Sequence, residues 1–354
     1  MPIACHLRAA TLLFTLLFTL LSTLCAPGHA HARQADGAAA AVNLRFDSVT
    51  PLNRYELVHR SYRAAATPVT GVLSLPSLTE AAAGTPPLPA MVIMHGSAGL
   101  QAKDRERWVP LLNHMGIATL LVDSFTPRGI GRVDEDQARL DQAANDADAL
   151  AALRLLGADR RIDPKRIGVI GFSRGGIAAL ETAVEAFRAG LLDNDVRFAA
   201  HIAFYPGCGL RYWRTPSPLT GAPIMMALAG RDDYVPAAPC LAFADAMRAA
   251  GQDVEVHVYP KAFHDFDNTV DYVKRGDRVE TSRACADREI DPLTWRYTFL
   301  KTGESFTDYA GFAARLGNCV TRGGVTTASD RASARQAERD VQAFLRRVFK
   351  LPAG

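Results

Sequence analysis

Between Ala90 and Pro260 the chain repeats one pattern: a short apolar run, a loop, then a helical stretch. AMVIMHG precedes a helical stretch from Asp104 to Met115. GIATLLVDSF precedes a long helix expected around Glu135 to Leu156, and IDPKRIGVIGF one from Gly175 to Ala189. HIAFYPG and APIMMALAG follow, then a helix from Ala238 to Ala250, and VEVHVYP ends the series. Runs with so little charge suit strands covered on both faces. Their alternation with helices requires a parallel sheet, because parallel neighbours need long crossovers. The expected class is α/β.

The flanks read differently. Over residues 42–76, LRFDSV, YELVHRSYR and PVTGVLSLP carry β-branched and aromatic residues between turn signals and predict two or three antiparallel strands. Gly84 to Pro89 reads as a turn. Residues 268–327 form a polar, aperiodic insertion, and Ser329 to Phe349 returns to helical spacing through Ala337, Val341, Phe344 and Val348. Residues 42–354 are expected to make one domain.

The N-terminus is of another kind. Arg8 is the one full side-chain charge ahead of the apolar run Thr11 to Cys25, which is shorter than the roughly 20 residues a spanning helix needs. Ala30, His31 and Ala32 supply the small-x-small pattern of a signal peptide, so cleavage is expected after Ala32, leaving a loose leader at 33–41 and no membrane anchor. A retained anchor helix is the competing reading. Lipidation at Cys25 is disfavoured, since Ser22, Thr23 and Leu24 lack the small residue such a signal places before its cysteine. The expected location is periplasmic or secreted.

Cleavage leaves four cysteines, Cys208, Cys240, Cys285 and Cys319, in an oxidising compartment. Chain order favours Cys208 with Cys240 and Cys285 with Cys319, each closing a short loop. No C-x-x-C pair or histidine cluster supplies metal-ligand spacing, so no metal is expected. The balance of 40 basic and 37 acidic residues gives a formal charge of +3, too even for a phosphate backbone, and nucleic acid is not an expected partner.

The most specific signal is Gly171, Phe172, Ser173, Arg174, Gly175, a G-x-S-x-G between an apolar strand and a helix. That context makes it a nucleophile elbow, with Ser173 on a strained turn at a helix N-terminus. Serine at neutral pH needs a base, and the base needs a carboxylate to fix its tautomer. Of the histidines beyond Ser173, His201 starts a strand and His257 alternates within one, whereas His264 lies just past a strand end in KAFHDFD. The acid is expected in AGRDDYVP, with Asp232 preferred and Asp233 the second choice. Asp265 and Asp267 read as surface or local-turn carboxylates.

Two backbone donors are expected to face a developing oxyanion, Arg174 N–H and Ser97 N–H in the loop HGSAG, where His95 would brace the loop. That loop matches neither a dinucleotide fingerprint nor a P-loop. Arg128 and Arg174 would either line the pocket as donors to a substrate carboxylate or serve structural pairing. Tyr205, Trp213 and Tyr234 would form an aromatic wall or pack.

Together HGSAG, VDSFTPRG, GFSRGG, FYPGC, DDYVPAAPC and AFHDFD resemble the dienelactone hydrolase family of α/β-hydrolases. The resemblance implies an eight-stranded, mostly parallel sheet flanked by helices, the triad on Ser173, Asp232 and His264, and no metal or organic cofactor. FYPGC and VPAAPC look like the bridging pair of exported members. The family is known for cysteine at the elbow where this chain has Ser173, which general esterases use. The function expected is therefore hydrolysis of a small-molecule carboxylic ester or lactone through an acyl-enzyme. A peptidase or acyltransferase with the same triad, or a non-catalytic binding protein on the scaffold, are the alternatives.

Overall fold

A computed structural model describes residues 41–63, 65–76, 86–212, 219–285 and 287–352. The expected signal peptide and nearly all of the leader lie outside them, as does Trp213 and the start of the turn at Gly84.

In chain order the elements are β1 (Ala41–Ser48), α1 (Arg54–His59), β2 (Thr67–Ser74), β3 (Leu88–Met94), α2 (Val109–His114), β4 (Ala118–Asp123), α3 (Gln142–Gly157), β5 (Ile162–Phe172), α4 (Arg174–Glu181) and α5 (Glu185–Leu191). There follow β6 (Ala200–Phe204), β7 (Leu210–Tyr212), β8 (Ile224–Ala229), α6 (Ala238–Ala249) and β9 (Val254–Tyr259). The polar insertion holds β10 (Val273–Gly276), β11 (Glu280–Thr281), β12 (Arg288–Ile290), β13 (Tyr297–Phe299), β14 (Ser305–Phe306), α7 (Tyr309–Gly317), β15 (Thr321–Arg322) and β16 (Val325–Ala328), and α8 (Arg331–Phe349) ends the chain.

Eight strands form one sheet in the order β1-β2-β4-β3-β5-β6-β8-β9. The pairs β1–β2 and β2–β4 are antiparallel and the rest parallel. This is the α/β-hydrolase fold. Alternate residues of a strand serve opposite cores: Val92 and Met94 join the cluster built with α3 and α6, while Met91 and Ile93 join that built with α2 and α8. Both faces are therefore dry, which is why the central runs exclude charge.

Several expectations are corrected. YELVHR is helix α1, not a strand: Asn53 caps it by accepting the Glu56 N–H at 3.0 Å, and Glu56 takes the Leu52 N–H at 2.8 Å. The long helix starts at Gln142 rather than near Glu135, because Asp141 caps it through the Ala143 N–H at 2.9 Å and Gln137–Arg139 ahead of it form a short 3-10 turn. The helix expected from Gly175 to Ala189 is broken in two. Thr182 bonds back to the Ala178 carbonyl at 2.8 Å, and Val184 is drawn into an extended bridge with Leu219. Strands β12, β13 and β14 of the insertion join β7 in a four-stranded sheet, β14-β13-β12-β7, and the insertion adds two ribbons, β10–β16 and β11–β15. Disulfides join Cys208 to Cys240 and Cys285 to Cys319. Among the described residues no helix is long and apolar enough to cross a membrane.

Strand β5 meets α4 at closer range than any side chain allows. A Cβ on Gly171 would lie 1.9 Å from the Gly175 oxygen, and one on Gly175 would lie 2.1 Å from the Met94 oxygen. Gly171→Ala is expected to cost about 3 kcal/mol or more, beyond ordinary overpacking because backbone rather than side chain must move, read as a fall in the urea midpoint. Replacing Cys208 and Cys240 together by alanine opens a link of sequence separation 32. The same titration should show a loss of about 3–4 kcal/mol on the chain-entropy estimate.

Candidate active site

The sharp β5–α4 junction puts Ser173 at φ 54°, ψ −112°, a conformation few non-glycine residues adopt. Its N–H is held by the Phe204 carbonyl at 2.9 Å, which pins the turn to β6. The hydroxyl lies 2.9 Å from His264 Nε2, and His264 Nδ1 lies 2.7 Å from Asp232 Oδ2. Asp232 Oδ1 accepts the N–H groups of Tyr234 and Val235 at 2.9 and 2.8 Å, so the carboxylate cannot rotate away. The rings of Tyr205 and Tyr234 flank the imidazole, with centroids 4.6 and 4.7 Å from it. Both side chains and Ser173 line a cleft of about 390 Å³.

Asp233 points the other way. It accepts the Thr326 N–H at 2.6 Å and the Thr326 hydroxyl at 2.8 Å, fastening β16 to the loop after β8. His201 is fully buried, bonded to the Ala179 carbonyl, and pushed down to about 4 by burial. His257 sits half-buried on β9, 3.5 Å from Glu255 and Asp340. Among the histidines of the described residues, His264 is the one hydrogen-bonded to the Ser173 hydroxyl.

His95 braces its loop. Its Nε2 accepts the Ser124 N–H at 3.2 Å, so the proton sits on Nδ1 and is donated to the Gly96 carbonyl at 2.8 Å. Burial lowers its pKa and keeps this neutral form. The loop it braces abuts the elbow: a Cβ on Gly96 would lie 3.5 Å from that of Ser173. Ser97 follows in the cleft wall, and Arg174 opens α4, where its N–H has no carbonyl within the helix to receive it.

The arginines do not meet the pocket expectation. Arg128 makes a two-pronged pair with the buried Asp148 at 2.7 and 2.9 Å and also donates to the Ser124 and Val49 carbonyls. Every polar edge of the guanidinium is spent on tying the β4 loop to α3 and β1, so it is a structural residue. The Arg174 side chain is buried and donates to Asn145 Oδ1 at 2.8 Å, Gln137 Oε1 at 3.0 Å and the Leu140 carbonyl. Gln137 was not singled out by sequence. Its amide nitrogen donates to Ser97 Oγ at 3.0 Å, so one side chain joins the loop after β3 to α4.

Asp265 and Asp267 are the largest correction. Instead of facing solvent they are buried around the ammonium of Lys103 in the cleft wall, a residue the sequence reading passed over. Burial alone would lower the Lys103 pKa; the Asp265 and Asp267 carboxylates outweigh it and hold the group charged. Burial raises neighbouring Asp104 to about 6, against the opposing pull of Lys103. Pairwise spacing gave no hint of this cluster, because Lys103 and Asp265 are 162 residues apart. Among the described residues no group of three or more His, Cys, Asp or Glu side chains could hold a metal ion.

The model of the dienelactone hydrolase family matches residues 78–289, more than half of the chain and the stretch that holds every residue of this cleft up to Val279. A search of curated proteins finds no match. Among solved structures, a dienelactone hydrolase-like promiscuous phosphotriesterase from metagenomic libraries has a TM-score of 0.51 at 17% identity, covering 87% of this chain and 99% of its own. The structure named m3DLH gives 0.52 at 20%, with 87% and 99% covered. At such identities these two likenesses speak for the fold. Fold and family model together establish that this chain belongs to the dienelactone hydrolase family of α/β-hydrolases, hydrolases that act on ester bonds.

Proposed function

We propose that the protein is a serine hydrolase that cleaves a small-molecule carboxylic ester or lactone through an acyl-enzyme on Ser173. The observation that carries this reading is the unbroken chain from Ser173 Oγ to His264 Nε2 at 2.9 Å and from His264 Nδ1 to Asp232 at 2.7 Å, opening on a cleft. Asp232 fixes the imidazole with its proton on Nδ1, which leaves Nε2 free to take the Ser173 proton as the hydroxyl attacks the carbonyl carbon. The imidazolium then returns that proton to the leaving alkoxide. Water, deprotonated by the same nitrogen, attacks the acyl-enzyme and releases the acid and Ser173.

The tetrahedral oxygen would lie against Arg174 N–H, at the positive end of α4, and Ser97 N–H, a pair of fixed donors each worth about 3 kcal/mol in such sites. A cleft of about 390 Å³ suits a small ester. Tyr205 and Tyr234 contribute apolar ring faces that hold the imidazole in plane and exclude water from it. We read residues 42–354 as one hydrolase domain, exported behind a signal peptide cut after Ala32; the two disulfides support an oxidising destination.

A fluorophosphonate probe should label the protein and fail on Ser173→Ala; labelling that persists would reject the nucleophile. Turnover of nitrophenyl acetate should fall about 10⁴-fold or more in His264→Ala with the circular dichroism spectrum retained. Asp232→Asn should lower kcat by a similar factor through the wrong tautomer. Asp233→Asn, which leaves the imidazole bond intact, should retain kcat within about tenfold while lowering the melting temperature. The reverse order of these two would move the acid to Asp233.

A further inference from the structure

His264 is followed by a residue in a costly conformation. Asp265 has φ 65°, in the left-handed region that a residue with a Cβ rarely occupies, so something must hold it there. Its side chain is held from three sides: Asn268 Nδ2 donates at 3.0 Å, and Tyr272 O–H and the Lys103 ammonium donate as well. Lys103 also donates to Tyr205 Oη at 2.5 Å and to Asp267 at 3.1 Å. Asp267 is completely buried, with the Tyr205 O–H at 2.5 Å and the Trp108 N–H at 2.7 Å as its other donors. The same ammonium lies 4.8 Å from the ring centre of Phe172, the residue before Ser173.

One buried cation therefore touches the neighbour of Ser173, the neighbour of His264 and the tyrosine whose ring packs on the imidazole. We propose that Lys103 is a positioning residue for this site, its ammonium fixing the His264 loop and the Tyr205 ring relative to the elbow. The proposal rests on the hydrolase reading for its meaning, and on the geometry alone for its test. An ammonium does this where a neutral group would not. Tyr205, Asp265 and Asp267 all require a donor at one point, and two of them carry negative charge that only a cation can balance without water. The Lys103 ammonium bonds Tyr205, Asp265 and Asp267 rather than Ser173 Oγ and takes no part in the bond changes.

The charged or titratable groups against His264 are Asp232 and Tyr234 from the loop after β8, Tyr205 from the end of β6, and Asp265 from its own loop. Strand β16 holds the His264 backbone, the Ala328 N–H donating to the His264 carbonyl at 3.0 Å. Removing the Lys103 ammonium takes from Asp265 and Asp267 the donor they share and frees the His264 loop from it. Loss of the tether should loosen the imidazole.

The test follows the downfield proton of the His264–Asp232 hydrogen bond by NMR, assigned through its loss in His264→Ala, together with kcat for nitrophenyl acetate. In Lys103→Met the resonance should exchange with water at least tenfold faster, and kcat should fall at least tenfold. Lys103→Met with Asp267→Asn restores the net charge and guards against failure to fold. It should show the same faster exchange and lower kcat. Wild-type exchange in the double variant would overturn the proposal. Absence of turnover in the unmodified protein would instead overturn the hydrolase reading, while the exchange measurement still decides the role of Lys103.

Discussion

Everything at this site depends on a backbone turn that most sequences cannot make. Ser173 is held at φ 54° by contacts on all sides, with its N–H on the Phe204 carbonyl and the two glycines letting α4 press onto the ends of β5 and β3. Such a conformation costs of the order of 1–3 kcal/mol and survives only where its surroundings leave no alternative. Here the surroundings are the middle of an eight-stranded sheet, buried on both faces. Relaxing the turn would require moving a strand that pairs on both sides. The strain buys direction: the hydroxyl points out of the sheet edge at the start of a helix, and other loops need only reach it.

The loops that reach it are fastened to each other as well as to the sheet. Asp232 spends one oxygen on two backbone N–H groups and the other on His264, so its carboxylate is fully occupied. The Cys208–Cys240 bridge connects the segment after Tyr205 to the start of α6, just beyond Tyr234. Thus the two tyrosines on either side of the imidazole come from loops that are covalently tied. A hydrogen-bonded chain with ends of 2.9 and 2.7 Å tolerates little drift, and the tie limits the relative motion of two of the loops that set it.

What the sequence made legible follows from the range of the interactions involved. The elbow could be read because its glycines, serine, strand and helix are contiguous. Asp232 and His264 could be read because each lies just past the end of an apolar strand, and strand order carries them to one edge. Helix α1 was misread because YELVHR has strand composition and its cap, an Asn53 to Glu56 bond, outweighs propensity over so short an element. The sequence leaves Arg128 open between pocket and structural pairing because its partner Asp148 lies in the following helix, where nothing in a linear pattern marks a buried pair. Asp265 and Asp267 looked like turn carboxylates for the same reason. Their burial is decided by a lysine at the far end of the matched region, and charge alone predicts exposure until its counter-ion is known.

The polar insertion shows how an aperiodic stretch can still shape a site. Strands β10 and β16 form a ribbon, and Gly276 and Val325 from it line the cleft, with Val279 from the turn that follows β10. The two ribbons of the insertion are attached through main-chain and short polar links rather than a core: Ala328 N–H to the His264 carbonyl at 3.0 Å, Thr326 to Asp233, and the Thr281 hydroxyl to the Tyr234 carbonyl at 2.8 Å. Each of these ends on His264 or within two residues of Asp232. The wall that bounds the cleft and the loops that carry its chemistry are thus one hydrogen-bonded unit. A change in the shape of that wall cannot be made without also bearing on the imidazole. Polar composition is what this design requires, since a segment built to grip loops by their backbones needs donors and acceptors more than an apolar face.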